Sequence, residues 1–272
     1  MPNFYSKIAD ASKKNQSLLC VGLDPDTNHM AIKDIAEFNR RIIEATSDLV
    51  CCYKPNLAFY EAMGIEGLRA LEKTLKYIPT DIPVIGDAKR GDVSSTAKAY
   101  AEAMFDQWAF DATTVNPFLG QDSIEPFLDY TSRGILILCR TSNPGAGVFQ
   151  DIPVIHEGSS ISLYEKIALS AQEWNRNGNI GLVVGATYPD QLRKIRSISK
   201  SMFILAPGVG SQGGDLESTI RLGASKTEVS ITINVSRSLL YASDDPITFA
   251  DASRNVAKTI RDRINIARSI IE

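Results

Sequence analysis

Eight short apolar runs are spaced along this 272-residue chain, with stretches of helical periodicity between them. The runs are LLCVGL (18–23), LVCCYK (49–54), IPVIGD (82–87), DATTVN (111–116), GILILC (134–139), IGLVVG (180–185), MFILAP (202–207) and SITINV (230–235). Most are apolar nearly throughout rather than alternating, which is how strands read when a parallel sheet is covered on both faces. The helical patterns fall near 30–46, 62–77, 94–107, 121–131, 160–177, 188–199, 215–223 and 246–270. In HMAIKDIAEFNRRIIEAT and ITFADASRNVAKTIRDRINIARSII, apolar residues recur at helical spacing opposite charged faces. Strand–helix alternation repeated eight times predicts an α/β fold, a single (β/α)8 TIM barrel with parallel strands, and one catalytic domain over residues 1–272. A doubly wound open sheet would want a Gly-x-Gly-x-x-Gly turn after its first strand, and GLDPDTN is not one.

Composition narrows the function classes. The formal net charge is −3 and 44% of residues are hydrophobic, so there is no basic excess to suit nucleic acid or a membrane surface. A small anionic ligand needs only a few local cations and stays open. Cys20, Cys51, Cys52 and Cys139 lie in or beside the apolar runs, form no Cys-x-x-Cys pair and are accompanied by only two histidines. They read as buried thiols of a reducing cytoplasm rather than a zinc site, and no metal is expected. The start, MPNFYSKIADASKKNQ, is amphipathic with no apolar signal core, and no stretch is apolar enough to span a membrane.

Barrels of this kind carry their active sites at the C-terminal ends of the strands, so an enzyme should collect polar residues where the apolar runs stop. This chain does. Asp24 follows the first run; Lys54 and Asn56 end the second; Asp87 and Lys89 end the third, with Asp92 beyond; Asn116 ends the fourth. The fifth leads to Arg140 and Ser142, the seventh to Pro207 and a glycine-rich stretch, the eighth to Arg237. Asp87 and Lys89, two residues apart on an extended chain, share a face and point into the barrel mouth, within reach of Lys54. Asp92 falls at the start of a helix, where a carboxylate is favoured; a structural ion pair with an ordinary helix cap is the competing account. In APGVGSQGGD (206–215) the glycines leave backbone N–H groups free for an anion, and the next helix offers its positive end. With Arg237 at the eighth strand end, this predicts a phosphate site. The segment RTSNPGAGVFQDIPVIHEGSS (140–160) reads as a long irregular loop, a lid or a surface insertion. His29 and His156 read as solvated.

GDAKRGDVSSTAKAYA (86–101) resembles the D-x-K-x-x-D signature of the orotidine 5'-phosphate decarboxylases. VGLD, YKPNLAFYE, APGVGSQGGD and NVSRS match that family's motifs in its order, over essentially the whole chain and in the form of its longer bacterial subtype. The resemblance implies metal-free, cofactor-free decarboxylation of orotidine 5'-monophosphate to uridine 5'-monophosphate, by a homodimer with composite sites. It implies that Lys89 protonates C6 of the pyrimidine, that Asp87 sits beside the substrate carboxylate, and that Lys54 completes an alternating charge array. Asp24 resembles the residue that holds the ribose, and Asp92 and Thr96 those lent across the dimer interface. Ser142 resembles the contact to the pyrimidine amide, and Gln212 and Arg237 the phosphate-holding groups. Pro207 is grouped with them as substrate-binding. Ser236 stands where many relatives carry glycine.

The residue types suit that chemistry. Losing CO2 from C6 leaves a carbanion with no adjacent carbonyl, so fixed charge and proton delivery must stabilise it. Other readings share the fold: a Mg2+-dependent keto-sugar-phosphate decarboxylase, an imine-forming aldolase with Lys89 as nucleophile, and a non-catalytic phosphate-binding barrel. Lys54 at the second strand end disfavours the metal, and carboxylates flanking Lys89 disfavour the imine.

Overall fold

The computed structural model describes residues 3–210 and 213–271. Its strands are β1 (Leu19–Leu23), β2 (Cys52–Pro55), β3 (Ile85–Arg90), β4 (Ala112–Val115), β5 (Gly134–Arg140), β6 (Pro153–His156), β7 (Ser159–Ser162), β8 (Ile180–Val184), β9 (Phe203–Pro207) and β10 (Ile231–Val235). All but β6 and β7 belong to one 8-stranded sheet, in the order β2-β1-β10-β9-β8-β5-β4-β3. Every pairing in it is parallel. The two ends of that order meet through parallel bridges Tyr53–Val84 and Asn56–Asp87, which makes the sheet a (β/α)8 barrel.

The predicted apolar runs all become barrel strands because both faces of each are covered. Outward side chains such as Leu19, Val21, Ile135 and Ile233 pack into one large core beneath the helices. Inward ones, among them Cys20, Cys52, Leu136 and Leu205, form a second cluster inside the barrel, joined by Phe4 and Ile8. Those two come from a helix at Phe4–Asn15, held at its start by Asn3, which accepts a hydrogen bond from the Ser6 N–H. A Cβ on Gly134, the first residue of β5, would lie 2.4 Å from the Phe4 ring, so this helix seals the N-terminal end of the barrel. Only the C-terminal end is left for a ligand.

Helices follow at Ile35–Thr46, Gly64–Tyr77, Ser94–Glu102, Leu163–Trp174, Pro189–Ser199, Leu216–Gly223 and Phe249–Ser269. The pattern at 121–131 yields only a four-residue helix, Glu125–Leu128, beside two 3-10 turns. The segment 140–160 departs from the expectation of an irregular loop. It forms a 3-10 turn (Pro144–Ala146), a helical turn (Gly147–Gln150) and the antiparallel β6–β7 hairpin. The helix expected from 160 therefore starts at Leu163, where Ser162 and Glu165 make a reciprocal capping box. The four cysteines are free and buried, as expected. Among the described residues no helix is long and apolar enough to cross a membrane.

Candidate active site

A cavity of about 490 Å3 opens at the C-terminal ends of the strands, lined among others by Asp24, Lys54, Asp87, Lys89, Ser142 and Arg237. Its floor is a row of three charges. Lys54 Nζ lies 2.7 Å from Asp87 Oδ2, and Lys89 Nζ lies 2.6 Å from Asp87 Oδ1. The row is graded in burial: the Lys54 side chain is 4% exposed, Asp87 10% and Lys89 48%. Burial alone would raise the Asp87 carboxyl, but Lys54 and Lys89 outweigh it and hold it well below the usual carboxylate range. Burial alone would lower the Lys54 ammonium, but Asp87 and, after it, Asp24 outweigh that and raise it.

The backbone that delivers Lys89 is not regular. Gly86 pairs with Thr113 and Arg90 with Val115, so β3 carries extra residues against β4. Lys89 takes up the bulge at φ +50°, a left-handed conformation uncommon outside glycine. The shared face expected of Asp87 and Lys89 on an extended strand is thus reached by a different route. Thr114 of β4 holds the bulge: its hydroxyl donates to Asp87 Oδ1 at 2.9 Å and accepts the Lys89 N–H at 2.9 Å.

Elsewhere in the cavity, Asp24 Oδ1 is buried with no hydrogen-bond partner, an acceptor held ready for a ligand hydroxyl. Pro207 and Gly208 line the wall beyond β9, and Arg237 faces the cavity without an ion-pair partner among the described residues. Gln212 lies outside the described residues. The helix expected to present its positive end here, Leu216–Gly223, does not line the cavity; Asp215 caps it by accepting the Ser218 N–H. At this wall the next helix is instead the short Arg237–Leu240, which begins at the cavity.

Asp92 and Thr96 do not line this cavity. Thr96 is exposed, and Asp92 accepts the N–H of Val93. The helix begins only at Ser94 with no side-chain cap, so Asp92 is not the helix-capping group that its position suggested. Asn116 and Arg140, polar at strand ends, also stay out of the cavity. Asn116 caps the 3-10 turn Pro117–Leu119, and Arg140 pairs with Asp151. Conversely, Thr114, Asn143, Gln150 and Asn234 line it and were not singled out as site residues, and Ser236, noted for standing where many relatives carry glycine, lines it too. Thr114 and Asn234 had a signal: each is a polar residue inside an apolar run, one step short of the strand end. Gln150 had none, because it reaches the cavity only through the fold of the 144–151 turn.

A family model described as Orotidine 5'-phosphate decarboxylase / HUMPS family matches residues 17–252. The chain belongs to that family. An orotidine 5'-phosphate decarboxylase of Thermomicrobium roseum is 48% identical over 98% of this chain and 96% of its own. The structure of a Leishmania donovani OMP decarboxylase superimposes with a TM-score of 0.86 at 37% identity, over 98% of this chain and 99% of that one. The Leishmania donovani UMP synthase superimposes with a TM-score of 0.89 at 38% identity, over 99% of this chain; the chain spans 57% of that longer protein. Of the residues that carried the resemblance, Asp24, Lys54, Asp87, Lys89, Ser142, Pro207 and Arg237 fall around one cavity at the strand ends, Asp92 and Thr96 do not, and Gln212 lies outside the described residues.

Proposed function

We propose that the chain removes CO2 from orotidine 5'-monophosphate to give uridine 5'-monophosphate, the last step of pyrimidine nucleotide synthesis, with Lys89 as the proton donor to C6. The observation that carries the assignment of roles is the Lys54–Asp87–Lys89 row on the cavity floor. Lys54 and Thr114 fix Asp87 from the buried side, and Lys89, the half-exposed end of the row, meets the substrate. As CO2 leaves, its bonding electron pair stays on C6; the Lys89 ammonium stabilises that charge and then supplies the proton. Asp87 beside the substrate carboxylate adds repulsion of roughly 4 kcal/mol for charges about 4 Å apart at an effective dielectric near 20. Enzymes lower barriers by about 8–23 kcal/mol, so this repulsion is the smaller part. The larger part is the fixed cation, supported by binding energy from remote groups. In this reading Asp24 takes the ribose hydroxyls, Ser142 the pyrimidine amide, and Arg237 with Gln212 the phosphate, with Pro207 also binding the substrate.

We further propose a homodimer in which Asp92 and Thr96 serve the partner's cavity. Supporting this, neither residue lines its own cavity, and the adjoining surface carries exposed Val93, Phe118 and Leu119. A Cβ on Gly91 would lie 2.7 Å from Asn116 O, so the segments bearing these apolar residues lie against each other. A cytoplasmic location fits the four free thiols.

The test is an absorbance assay with orotidine 5'-monophosphate in excess chelator. Wild type turns over undiminished, and Lys89→Met loses at least about a thousandfold in kcat, within the range for a positioned proton donor, while still binding uridine 5'-monophosphate. Turnover of Lys89→Met within about tenfold of wild type removes Lys89 as proton donor. Loss of wild-type activity in chelator favours the metal-dependent decarboxylase instead.

A further inference from the structure

The 144–151 turn is neither free to swing nor remote from the chemistry. Gln150 lines the cavity, and its amide is spent on one residue, Thr141, which directly precedes Ser142. Gln150 Oε1 accepts the Thr141 N–H at 2.9 Å, and Gln150 Nε2 donates to the Thr141 hydroxyl at 3.0 Å. That hydroxyl donates in turn to Asn143 Oδ1 at 2.7 Å. The other backbone group of Thr141, its carbonyl, accepts from Arg140 Nη1 at 2.8 Å. Arg140 is buried, with its guanidinium carbon 3.9 Å from the centre of the Tyr188 ring. Its remaining nitrogens make a two-pronged pair with Asp151, Nε to Oδ1 at 2.8 Å and Nη2 to Oδ2 at 3.0 Å. Consecutive residues of the turn, Gln150 and Asp151, therefore control both backbone polar groups of Thr141, one directly and one through Arg140.

The opposite side of this strand end is held as firmly. A Cβ on Gly185 would lie 2.6 Å from Ser142 Cα, so the backbone beyond β8 packs directly against Ser142. Thr187 Oγ1 donates to the Ser142 carbonyl at 3.1 Å, and the Gly185 N–H donates to the Arg140 carbonyl at 2.7 Å. At Thr141 the chain has left the β5–β8 ladder, whose last pairing is Arg140 with Val184. Its backbone groups would point at solvent or cavity without side chains to take them.

We propose that the 144–151 turn is a splint that sets the position of Ser142 for the pyrimidine, with Gln150 as the positioning residue. This rests on the reading that Ser142 contacts the base. The splint's selectivity is for the base end of the nucleotide, because Ser142 follows β5 and Arg237 follows β10, three strands apart around the eight-stranded barrel.

The experiment compares the affinities of uridine 5'-monophosphate and of ribose 5-phosphate, which lacks the base, by calorimetry for wild type, Gln150→Ala, Thr141→Val and Ser142→Ala. Gln150→Ala weakens the nucleotide about five- to thirtyfold, the range for losing one or two neutral hydrogen bonds, and leaves ribose 5-phosphate unchanged. Thr141→Val, a milder change that removes only the hydroxyl partner, gives a smaller loss of the same selectivity, and keeps the test open if Gln150→Ala does not fold. In turnover, Gln150→Ala raises KM for orotidine 5'-monophosphate more than it lowers kcat. If both ligands weaken alike in Gln150→Ala and Thr141→Val, or neither does, while Ser142→Ala is base-selective, the splint is refuted and the Ser142 reading stands. If Ser142→Ala leaves nucleotide affinity at the wild-type value, the Ser142 reading fails first.

Discussion

The gradient of burial along the floor of the cavity predicts a ranking of stabilities. At about 2.7 Å and an effective dielectric near 20, the buried Lys54–Asp87 pair is worth roughly 6 kcal/mol of attraction, against a desolvation cost of several kcal/mol per buried ion. Removing one partner of a buried pair therefore costs about 3–5 kcal/mol, chiefly because the other charge is left buried and uncompensated. Asp87→Asn strands the buried Lys54 ammonium and should sit at the top of that range. Lys54→Met leaves Asp87 with Lys89 and Thr114 and should cost about 3 kcal/mol, the lower end of the range. The Lys89 side chain is 48% exposed, so solvent screens its pair, and Lys89→Met should cost no more than about 1 kcal/mol. Lys54, raised in the folded state, contributes the opposite sign from Asp87: its stabilisation is present below the unfolded lysine value and is lost as pH rises through the folded value. The folded-state carboxyl of Asp87 is depressed, so its stabilisation is present above the unfolded carboxylate value of about 4 and is lost as pH falls through the folded value. In Lys54→Met the depression is smaller, and the stability gap to wild type should narrow as the pH falls below about 4. Urea unfolding followed by the fluorescence of Trp108 and Trp174 measures both effects. Equal costs for Lys89→Met and Lys54→Met, or a gap that does not change with pH, would refute the reasoning.

Two further outcomes follow from the geometry. Arg237→Ala should raise KM for orotidine 5'-monophosphate about ten- to hundredfold, as loss of charge-assisted hydrogen bonds does, while the phosphate-free nucleoside is indifferent; equal losses for both substrates would make Arg237 structural. Mixing Lys89→Met protein with Asp92→Ala protein, each inactive alone, should restore activity once subunits exchange, because a heterodimer then has one site with both lesions and one with neither; no recovery despite proven exchange places Asp92 beside its own Lys89.

The fold was legible because a parallel barrel covers both faces of its strands, and continuous apolar runs report that directly. The strand ends were legible for the same reason: Asp24, Lys54, Asp87 and Lys89 stand out where apolarity stops, and all line the cavity. What the pattern could not convey is which polar strand-end residues turn inward. Asn116 and Arg140 look like Lys54 in sequence, yet one is taken by a local cap and the other by a carboxylate eleven residues on. Thr114 was missed because a threonine within a β-branched run suits a strand for its shape alone. The 153–162 hairpin was missed because its strands are short and half polar, with no core of their own to impose alternation.

The bulge in β3 joins these observations into one arrangement. A left-handed φ costs a non-glycine residue roughly 1–2 kcal/mol, so Lys89 holds φ +50° only because its neighbours require it. Thr114 supplies that requirement by accepting the Lys89 N–H that a regular ladder would have used. The ladder resumes at once, with the Asn116 N–H donating to the Arg90 carbonyl at 2.8 Å. A regular strand would carry residues 87 and 89 into the barrel on a common face. With the bulge, Asp87 stays buried and Lys89 is half exposed, still within 2.6 Å of the same carboxylate. Stability and, in the proposed reaction, chemistry are thereby divided between two lysines on one carboxylate: the buried one fixes the charge of Asp87, and the strained one presents an ammonium to the cavity.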